Sequence, residues 1–399
     1  MNSAMDAKSA VTVVLLINQD WAFLSHRLAL ARALKQSGAK VIVATCVDKA
    51  RGLIEAEGFI VHHIPFKRAG IFLISEFFTL LAIIRLYLNI KPDVVHQVAL
   101  KAVIYGSIAA KIARTRAIVN TISGLGYVFT TKTLKTMILR VILKALMRVT
   151  FAGKRVRVVF QNPDDHELFL RQAIIDDPAR TSLILGSGVD LKRFHVSSEP
   201  TRICTIVVPA RMLKEKGIFE AVEAAQILRR RGFVFEMHLC GGVDLENPGA
   251  ISEAQLRSWS DQGVVRWLGH QTSMDKIFQE ANIVCLPSYR EGLPLALIEA
   301  AASGRAMVAT DVPGCRHVVI NGKTGLLVPA KDSEQLAEAL AKLIVDADYR
   351  RELGANARTL AECEFSNEQI ISKLWRLYVE LLSGSEKVMG QIPFSDYRL

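Results

Sequence analysis

In the stretch EGLPLALIEA, residues 291–300, two carboxylates, Glu291 and Glu299, bracket seven uncharged residues. The stretch follows an apolar run, ANIVCLPS, through a short loop, SYREG. Pro294 suits the first turn of a helix that runs to Ser303, and Gly304 suits its stop. Glu291 therefore precedes the helix and Glu299 lies inside it. Eight residues of ideal helix advance about 12 Å and rotate about 80° beyond two full turns. Both side chains then reach one cleft, at different points along an elongated ligand. Two carboxylates acting on one bond in a retaining glycosidase sit closer, about 5 to 5.5 Å apart. Backbone N–H groups near Gly292 and Leu293, at the helix start, suit a phosphate or a sugar hydroxyl. Two hydroxyl-binding glutamates around an anion-binding backbone match the shape of a nucleotide sugar.

Such a ligand requires cations for its diphosphate, and PARMLKEKG (209–217) supplies them in Arg211 and Lys216. Both follow a strand-like run, at the edge where two positive groups can neutralise a diphosphate and stabilise it as it leaves. A basic turn alone is ordinarily a solvated surface feature. Joined to the glutamate pair, it reads as the other half of one site.

The elements that must position these residues alternate along the chain. VTVVLLI (11–17), SHRLALARALKQSG with Ser25 as helix cap and Gly38 as stop, and KVIVATC (40–46) form one βαβ unit. FIVHHIPF, DVVHQV, RAIVNTI and RVVF continue the series to about residue 160. A second series runs through ICTIVVPA, VFEMHLC, VVRWLG, ANIVCLP, RAMVATD and TGLLVPA, and ends in helices near 332–345, 348–362 and 366–382. The fold class is α/β: two doubly wound, Rossmann-like domains with parallel sheets, divided near HVSSEPT (195–201). Ligands of such sheets gather at the carboxyl ends of the strands, and two facing sheets make a cleft.

The 399 residues suffice for two cores. The six cysteines are scattered without C-x-x-C spacing, so they predict buried thiols in a reducing cytosol, with neither a disulfide framework nor a zinc site. The opening segment carries too short an apolar run for a secretory signal. Charge is uneven: residues 1–200 hold 27 Lys/Arg against 14 Asp/Glu, and residues 201–399 hold 23 against 25. The basic half implies an anionic partner. Within it, residues 131–159 carry eight Lys/Arg and no acid, interleaved with Leu134, Ile138, Leu139, Ile142, Leu146 and Val149. That pattern fits either an interfacial helix on an anionic membrane surface or an ordinary amphipathic helix of a basic domain. The apolar interleaving, rather than stacking aromatics, argues against nucleic acid. IFLISEFFTLLAIIRLYL (71–88) is interrupted by Glu76 and Arg85 and is not expected to span a membrane.

The combination of R-x4-K-G after a strand, LGH at 268–270 and E-x7-E in EGLPLALIEA resembles the retaining glycosyltransferases of family 4, which have the GT-B fold. AASGRAMVATDVPG and NGKTGLLVPAKD extend the resemblance. It implies an N-terminal acceptor-binding domain, 1–198, completed by 366–399 through a last helix that crosses back, and a nucleotide-sugar-binding domain, 199–365. It also implies that Glu291 contacts hydroxyls of the donor sugar and Glu299 those of the ribose. Arg211 and Lys216 would hold the diphosphate, with Gly269, Gly292 and Leu293 beside the donor. WAFLSHRLALARAL, KPDVVHQVALKAVIYGSIAAKIA, TISGLGYVFT, FQNPDDHELF and GSGVDLKRF resemble a subgroup that extends polyprenyl-diphosphate-linked sugars in bacterial surface polysaccharide or glycoprotein pathways.

The implied activity is transfer of a hexose or N-acetylhexosamine from a nucleotide-sugar donor, expected to be UDP-linked, to a polyprenyl-diphosphate saccharide. The implied place is the inner face of the cytoplasmic membrane. An epimerase or hydrolase of nucleotide sugars, which shares this fold, is the competing reading. Two departures stand out. The first loop reads NQDWAFLSHR where many members have a glycine pair, and the family's D-x-x-H-x-H reads DVVHQV, with Val98 at the second histidine. His96 therefore has a catalytic reading and a structural one. Gly124, Gly126, His26 and Arg27 are the remaining substrate-binding candidates. The D-x-D at Asp346-Ala347-Asp348 falls between late helices, so no obligatory metal and no further cofactor is expected.

Overall fold

The computed structural model describes residues 10–67, 73–124 and 134–383. The chain divides into two compact units, Met1–Ser187 with Glu368–Leu399, and Gly188–Asn367.

The first unit is built from β1 (Thr12–Ile17), α1 (Asp20–His26), α2 (Leu28–Gln36), β2 (Lys40–Thr45), α3 (Arg51–Ala56), β3 (Ile60–His63), α4 (Leu73–Ile90), β4 (Val94–Val98), α5 (Leu100–Ile112), β5 (Ala117–Ile122), α6 (Leu134–Phe151), β6 (Val156–Phe160), α7 (Pro163–Arg171) and β7 (Thr181–Leu183). Its seven strands are all parallel, in the order β3-β2-β1-β4-β5-β6-β7. Continuous apolar runs form these strands because both faces of the sheet are covered. In β1, Val13, Leu15 and Ile17 face one core with α1 and α2, while Val14 and Leu16 face the other with α4, α5 and α6. Between Thr12 and Asp93 a hydrogen bond of 2.9 Å, amide to carboxylate, anchors the start of β1.

The second unit contains β8 (Cys204–Pro209), α8 (Ile218–Arg230), β9 (Phe235–Cys240), α9 (Glu253–Asp261), β10 (Arg266–Gly269), α10 (Met274–Gln279), β11 (Ile283–Leu286), α11 (Leu295–Ala302), β12 (Ala306–Thr310), β13 (Gly325–Val328), α12 (Ser333–Val345) and α13 (Ala347–Leu360). Its six parallel strands run β10-β9-β8-β11-β12-β13. In both sheets the strand order reverses beside the first strand, between β1 and β4 and between β8 and β11, which is where open α/β sheets bind ligands. A π-helical turn, Ala361–Phe365, leads from α13 into the last helix, α14 (Asn367–Leu382). α14 belongs to the first unit, the return that the family resemblance implies. Its Ile370, Ile371, Leu374, Trp375 and Tyr378 are buried in the core with α1 and α2. Each such side chain contributes roughly 1.5 to 3 kcal/mol by leaving water, enough to hold the helix there.

Three expectations are revised. Ser25 is no helix cap: the helix begins at Asp20, Ser25 lies inside α1 with its hydroxyl on the Trp21 carbonyl, and the chain breaks at Arg27 before α2. The linker-like segment at 195–201 belongs to the second unit, because its polar groups are engaged there. Arg350 clasps Glu199 at 2.8 Å, and Ser197 accepts from Arg305. The division accordingly falls at 187/188 and 367/368 rather than at 198/199 and 365/366. The basic segment expected over 131–159 ends as a helix at Phe151 and continues into β6. Among the described residues no helix is long and apolar enough to cross a membrane.

Candidate active site

The cationic turn and the glutamate loop meet at the switch point of the second sheet. β8 delivers Arg211 and, through a short 3-10 turn at Lys214–Lys216, Lys216; β11 delivers the loop that carries Glu291. Gly217 ends the 3-10 turn in the left-handed region, φ 69°, and a Cβ there would fall 2.0 Å from the Pro287 carbonyl oxygen. Only glycine lets the two turns close on one another. A backbone bond of 2.9 Å from the Tyr289 amide to the Glu215 carbonyl fastens them. Lys216 Nζ then donates to Glu291 Oε1 at 2.5 Å, with both side chains largely buried. The groups expected to touch a phosphate and a sugar are thus neighbours 75 residues apart in sequence.

Arg211 also has a carboxylate partner. Its Nη1 donates to Asp244 Oδ2 at 2.7 Å, and Asp244 lies just past the carboxyl end of β9. Sequence reading passed over Asp244. Its signal was an acid in GGVD directly after a strand adjacent to β8. Gly314, within the AASGRAMVATDVPG stretch, was missed as well: at φ 85° a Cβ would lie 2.5 Å from the Gly292 carbonyl oxygen. It seats the loop of Glu291, Gly292 and Leu293.

The helix expected after Pro294 is present as α11, with Pro294 at its N-cap, no side chain capping it, and Gly304 in the left-handed conformation past its end. Glu299 sits within α11, and among the described residues no hydrogen bond engages its carboxyl group. Burial raises that carboxyl to about 8; the Arg193 charge opposes the shift and Asp275 adds to it. Arg193 is itself spent on Asp275, at 2.9 Å. Gly269 closes β10, two strands away from β8, with φ 69°.

In the first unit, His96 lies mid-strand in β4, fully buried, with Nδ1 2.5 Å from the Tyr378 hydroxyl and Nε2 2.7 Å from Thr121 Oγ1. Burial, reinforced by the Arg27 charge, pushes its pKa well down and keeps the ring neutral. With both nitrogens engaged inside the core, His96 ties the sheet to α14, the arrangement its structural reading expects. His26 Nδ1 is 3.1 Å from Ser187 Oγ, and burial with the neighbouring Arg27 lowers this imidazole to about 4. Arg27, at the break between α1 and α2, is buried; its Nη1 donates to the His26 carbonyl at 2.9 Å, and among the described residues its Nε has no partner. A buried guanidinium without a carboxylate is costly unless an anion completes it. Gly124 follows β5 with φ 129°, and Gly126 lies outside the described residues.

The chain matches the family described as glycosyl transferases group 1 over residues 192–360, and the one described as glycosyl transferase 4-like over residues 12–162. It is 28% identical over 387 residues to the N,N'-diacetylbacillosaminyl-diphospho-undecaprenol alpha-1,3-N-acetylgalactosaminyltransferase of Campylobacter jejuni, covering 91% of this chain and 99% of that one. Among solved structures it resembles sucrose-phosphate synthase from Thermosynechococcus elongatus, with TM-score 0.76, 21% identity, and 94% and 100% of the two chains covered. It also resembles Anabaena Alr3699/HepE in complex with UDP and glucose, with TM-score 0.72, 17% identity, and 91% and 98% covered. The epimerase or hydrolase reading finds no support in these matches.

Glu299 generates a test by pH. A carboxyl raised from 4.5 to about 8 is protonated at neutral pH, and its burial destabilises the fold increasingly as pH rises between those values. On the ribose contact that the family resemblance implies, hydroxyls donated to this group would favour the ionised form, and UDP binding would expel the proton. Calorimetry of UDP binding at pH 7 in buffers of different ionisation enthalpy should register net proton release. Affinity should climb with pH up to about 8 and then level off. In Glu299→Gln the proton release should vanish; its persistence there would remove Glu299 from the linkage.

Proposed function

This chain belongs to the family-4 glycosyltransferases of the GT-B fold, and we propose that it moves a hexose or N-acetylhexosamine from a UDP-sugar to a polyprenyl-diphosphate-linked saccharide, with retained configuration, in bacterial surface glycan assembly. The observation that carries this reading is the Lys216–Glu291 contact at the switch point of the second sheet. In a nucleotide sugar the anomeric C–O bond joins sugar to diphosphate, so a phosphate-binding cation and a hydroxyl-binding carboxylate must flank that bond.

The reaction follows from partner exchange. The donor diphosphate draws Lys216 from Glu291 and Arg211 from Asp244, and the freed Glu291 accepts from hydroxyls of the donor sugar. An acceptor hydroxyl oxygen then forms its bond to the anomeric carbon on the face from which the diphosphate departs. The C–O bond to the diphosphate breaks, the electron pair leaves with the nucleoside diphosphate, and the acceptor proton passes to the departing phosphate oxygen. Arg211 and Lys216 stabilise the charge that develops there. This route uses no protein nucleophile. The two cations do the work of a divalent ion. Asp346 of the D-x-D is occupied as the N-cap of α13, accepting from the Tyr349 amide at 2.9 Å, and Asp348 pairs with Arg351. Arg27 and His26 serve the acceptor's diphosphate in the first unit, where the unpaired Nε of Arg27 calls for an anion.

A lipid-linked acceptor supports a location on a membrane surface, the inner face of the cytoplasmic membrane. Helix α4 exposes Ile74, Phe77 and Phe78, and α6 exposes Met137, Val141, Ile142 and Val149 beside Lys144. Glu76 of α4 is withdrawn from that surface, accepting from Lys101 Nζ at 2.7 Å and the Tyr105 hydroxyl at 2.8 Å. Exposed apolar side chains with basic neighbours and the local acid turned inward suit an anionic bilayer.

Two experiments test these readings. Glu291→Ala should lower kcat more than tenfold with UDP affinity little changed, while Arg27→Ala should raise the KM for lipid acceptor more than for donor. A fully active Glu291→Ala enzyme would contradict the donor assignment. For the membrane face, Phe77→Ser/Phe78→Ser/Lys144→Glu should no longer cosediment with phosphatidylglycerol vesicles yet still bind UDP. Undiminished cosedimentation would sink that surface.

A further inference from the structure

The loop that carries Glu291 is fastened on both sides of that residue, and one fastening is a side chain with no part in the transfer chemistry described so far. After β11, the Pro287 carbonyl lies against Gly217, and the Ser288 carbonyl accepts from the Thr310 hydroxyl. Beyond Glu291, the Gly292 carbonyl lies against Gly314. Tyr289 stands between these contacts, two residues before Glu291. Its amide donates to the Glu215 carbonyl at 2.9 Å, and its hydroxyl donates to Glu220 Oε1 at 2.6 Å. Glu220 belongs to the first turn of α8, directly after the turn that carries Lys216.

An acid in the first turn of a helix ordinarily complements the dipole and stays in water. Glu220 departs from that: its Oε2 is out of solvent without a hydrogen-bond partner, and among the described residues only Tyr289 donates to the carboxylate. Withdrawing a carboxylate from water for one donor is costly, so the bond to Tyr289 is not an incidental surface contact. Burial, with the Glu220 carboxylate adding to it, raises the pKa of the Tyr289 hydroxyl and keeps it the donor. Lys331, in the left-handed conformation at φ 65° just before α12, sets its Nζ 4.9 Å from the centre of the Tyr289 ring. A cation on the ring face and a carboxylate on the hydroxyl fix both the plane and the tip of this side chain.

We propose that Tyr289 is a positioning residue for Glu291, holding the glutamate loop to α8 while Lys216 changes partner; this rests on the transfer reaction proposed above. Among the described residues Lys216 is the only hydrogen-bond partner of the Glu291 carboxylate. When the donor diphosphate draws the lysine away, that tie between the cationic turn and the glutamate loop is lost. The Tyr289–Glu220 bond involves neither exchanging group, so it persists through the exchange. Glu291 then meets the donor sugar from a backbone that has not moved. Displacement of a contacting group by about 1 Å is enough to cost much of its effect on rate, which is what this second fastening prevents.

A double-mutant cycle on the full chain tests it, with turnover of UDP-glucose, UDP-galactose and their N-acetylamino counterparts onto undecaprenyl-diphospho-N-acetylglucosamine. Tyr289→Phe, which keeps the ring beneath Lys331, should lower kcat about tenfold and leave UDP affinity within about twofold. Adding Tyr289→Phe to Glu291→Ala should slow that enzyme no further, because the tyrosine acts through the glutamate. Glu220→Leu should reproduce the loss seen in Tyr289→Phe, whereas Glu220→Gln, which keeps an acceptor oxygen, should recover most of the rate. Should Glu220→Leu disturb folding, the cycle between Tyr289 and Glu291 decides. Wild-type kcat in Tyr289→Phe, or losses from Tyr289→Phe and Glu291→Ala that multiply, would overturn the inference while leaving the transfer reaction in place. A fully active Glu291→Ala enzyme, or silence of the wild type across these donors, overturns both together.

Discussion

The second unit depends on two backbone turns that approach too closely for a side chain to intervene. Gly217, at the end of the 3-10 turn after β8, lies against the Pro287 carbonyl, and Gly314, after β12, lies against that of Gly292. These approaches hold the cationic turn and the glutamate loop in fixed register, and the Lys216–Glu291 pair follows from them. Because the pair is mostly out of solvent, each charge keeps the other neutralised until a ligand offers both a better partner. On the proposed function, a nucleotide sugar brings the anion for the lysine and the hydroxyls for the glutamate on one molecule. On the proposed function, that constraint favours a sugar phosphate ester over either part alone.

The first unit answers a different requirement. Its sheet carries the same reversal of strand order, but the residues at its switch are a buried guanidinium and two neutral imidazoles rather than an ion-paired set. Tyr378, from the last helix, closes this cluster through His96, so the chain's return to the first unit is a polar tie as well as an apolar one. The positive charge that distinguishes this half is dispersed over α6 and the ends of α5 and β6, away from the switch. Basic composition and catalytic chemistry are therefore separate features of the chain.

What the sequence disclosed and what it concealed divide by range. Glu291, Pro294, Glu299 and Gly304 form one continuous pattern, so α11 and its flanking loop were legible with their boundaries. Arg211 and Lys216 were legible because both follow one strand. Concealed were relations made by tertiary contact: Asp244 as partner of Arg211, Gly314 beneath Gly292, and Arg350 drawing Glu199 into the second unit despite its linker-like surroundings. Ser25 misled because a serine before an apolar periodic run is the usual mark of a helix start, whereas here Asp20 opens the helix and its carboxylate accepts from the amides of Asp48 and Ala50. His96 was ambiguous in sequence because a histidine expected near a strand end serves catalysis and core equally well; the structure places it mid-strand with both nitrogens engaged.

The most direct measurement of the central claim is release of nucleoside diphosphate from UDP-, GDP- and dTDP-sugars, with and without a polyprenyl-diphosphate-sugar acceptor, in EDTA throughout. The account predicts release from a UDP-sugar only when the lipid acceptor is present, undiminished by the chelator. Release without acceptor, or loss of all activity on chelation, would contradict it.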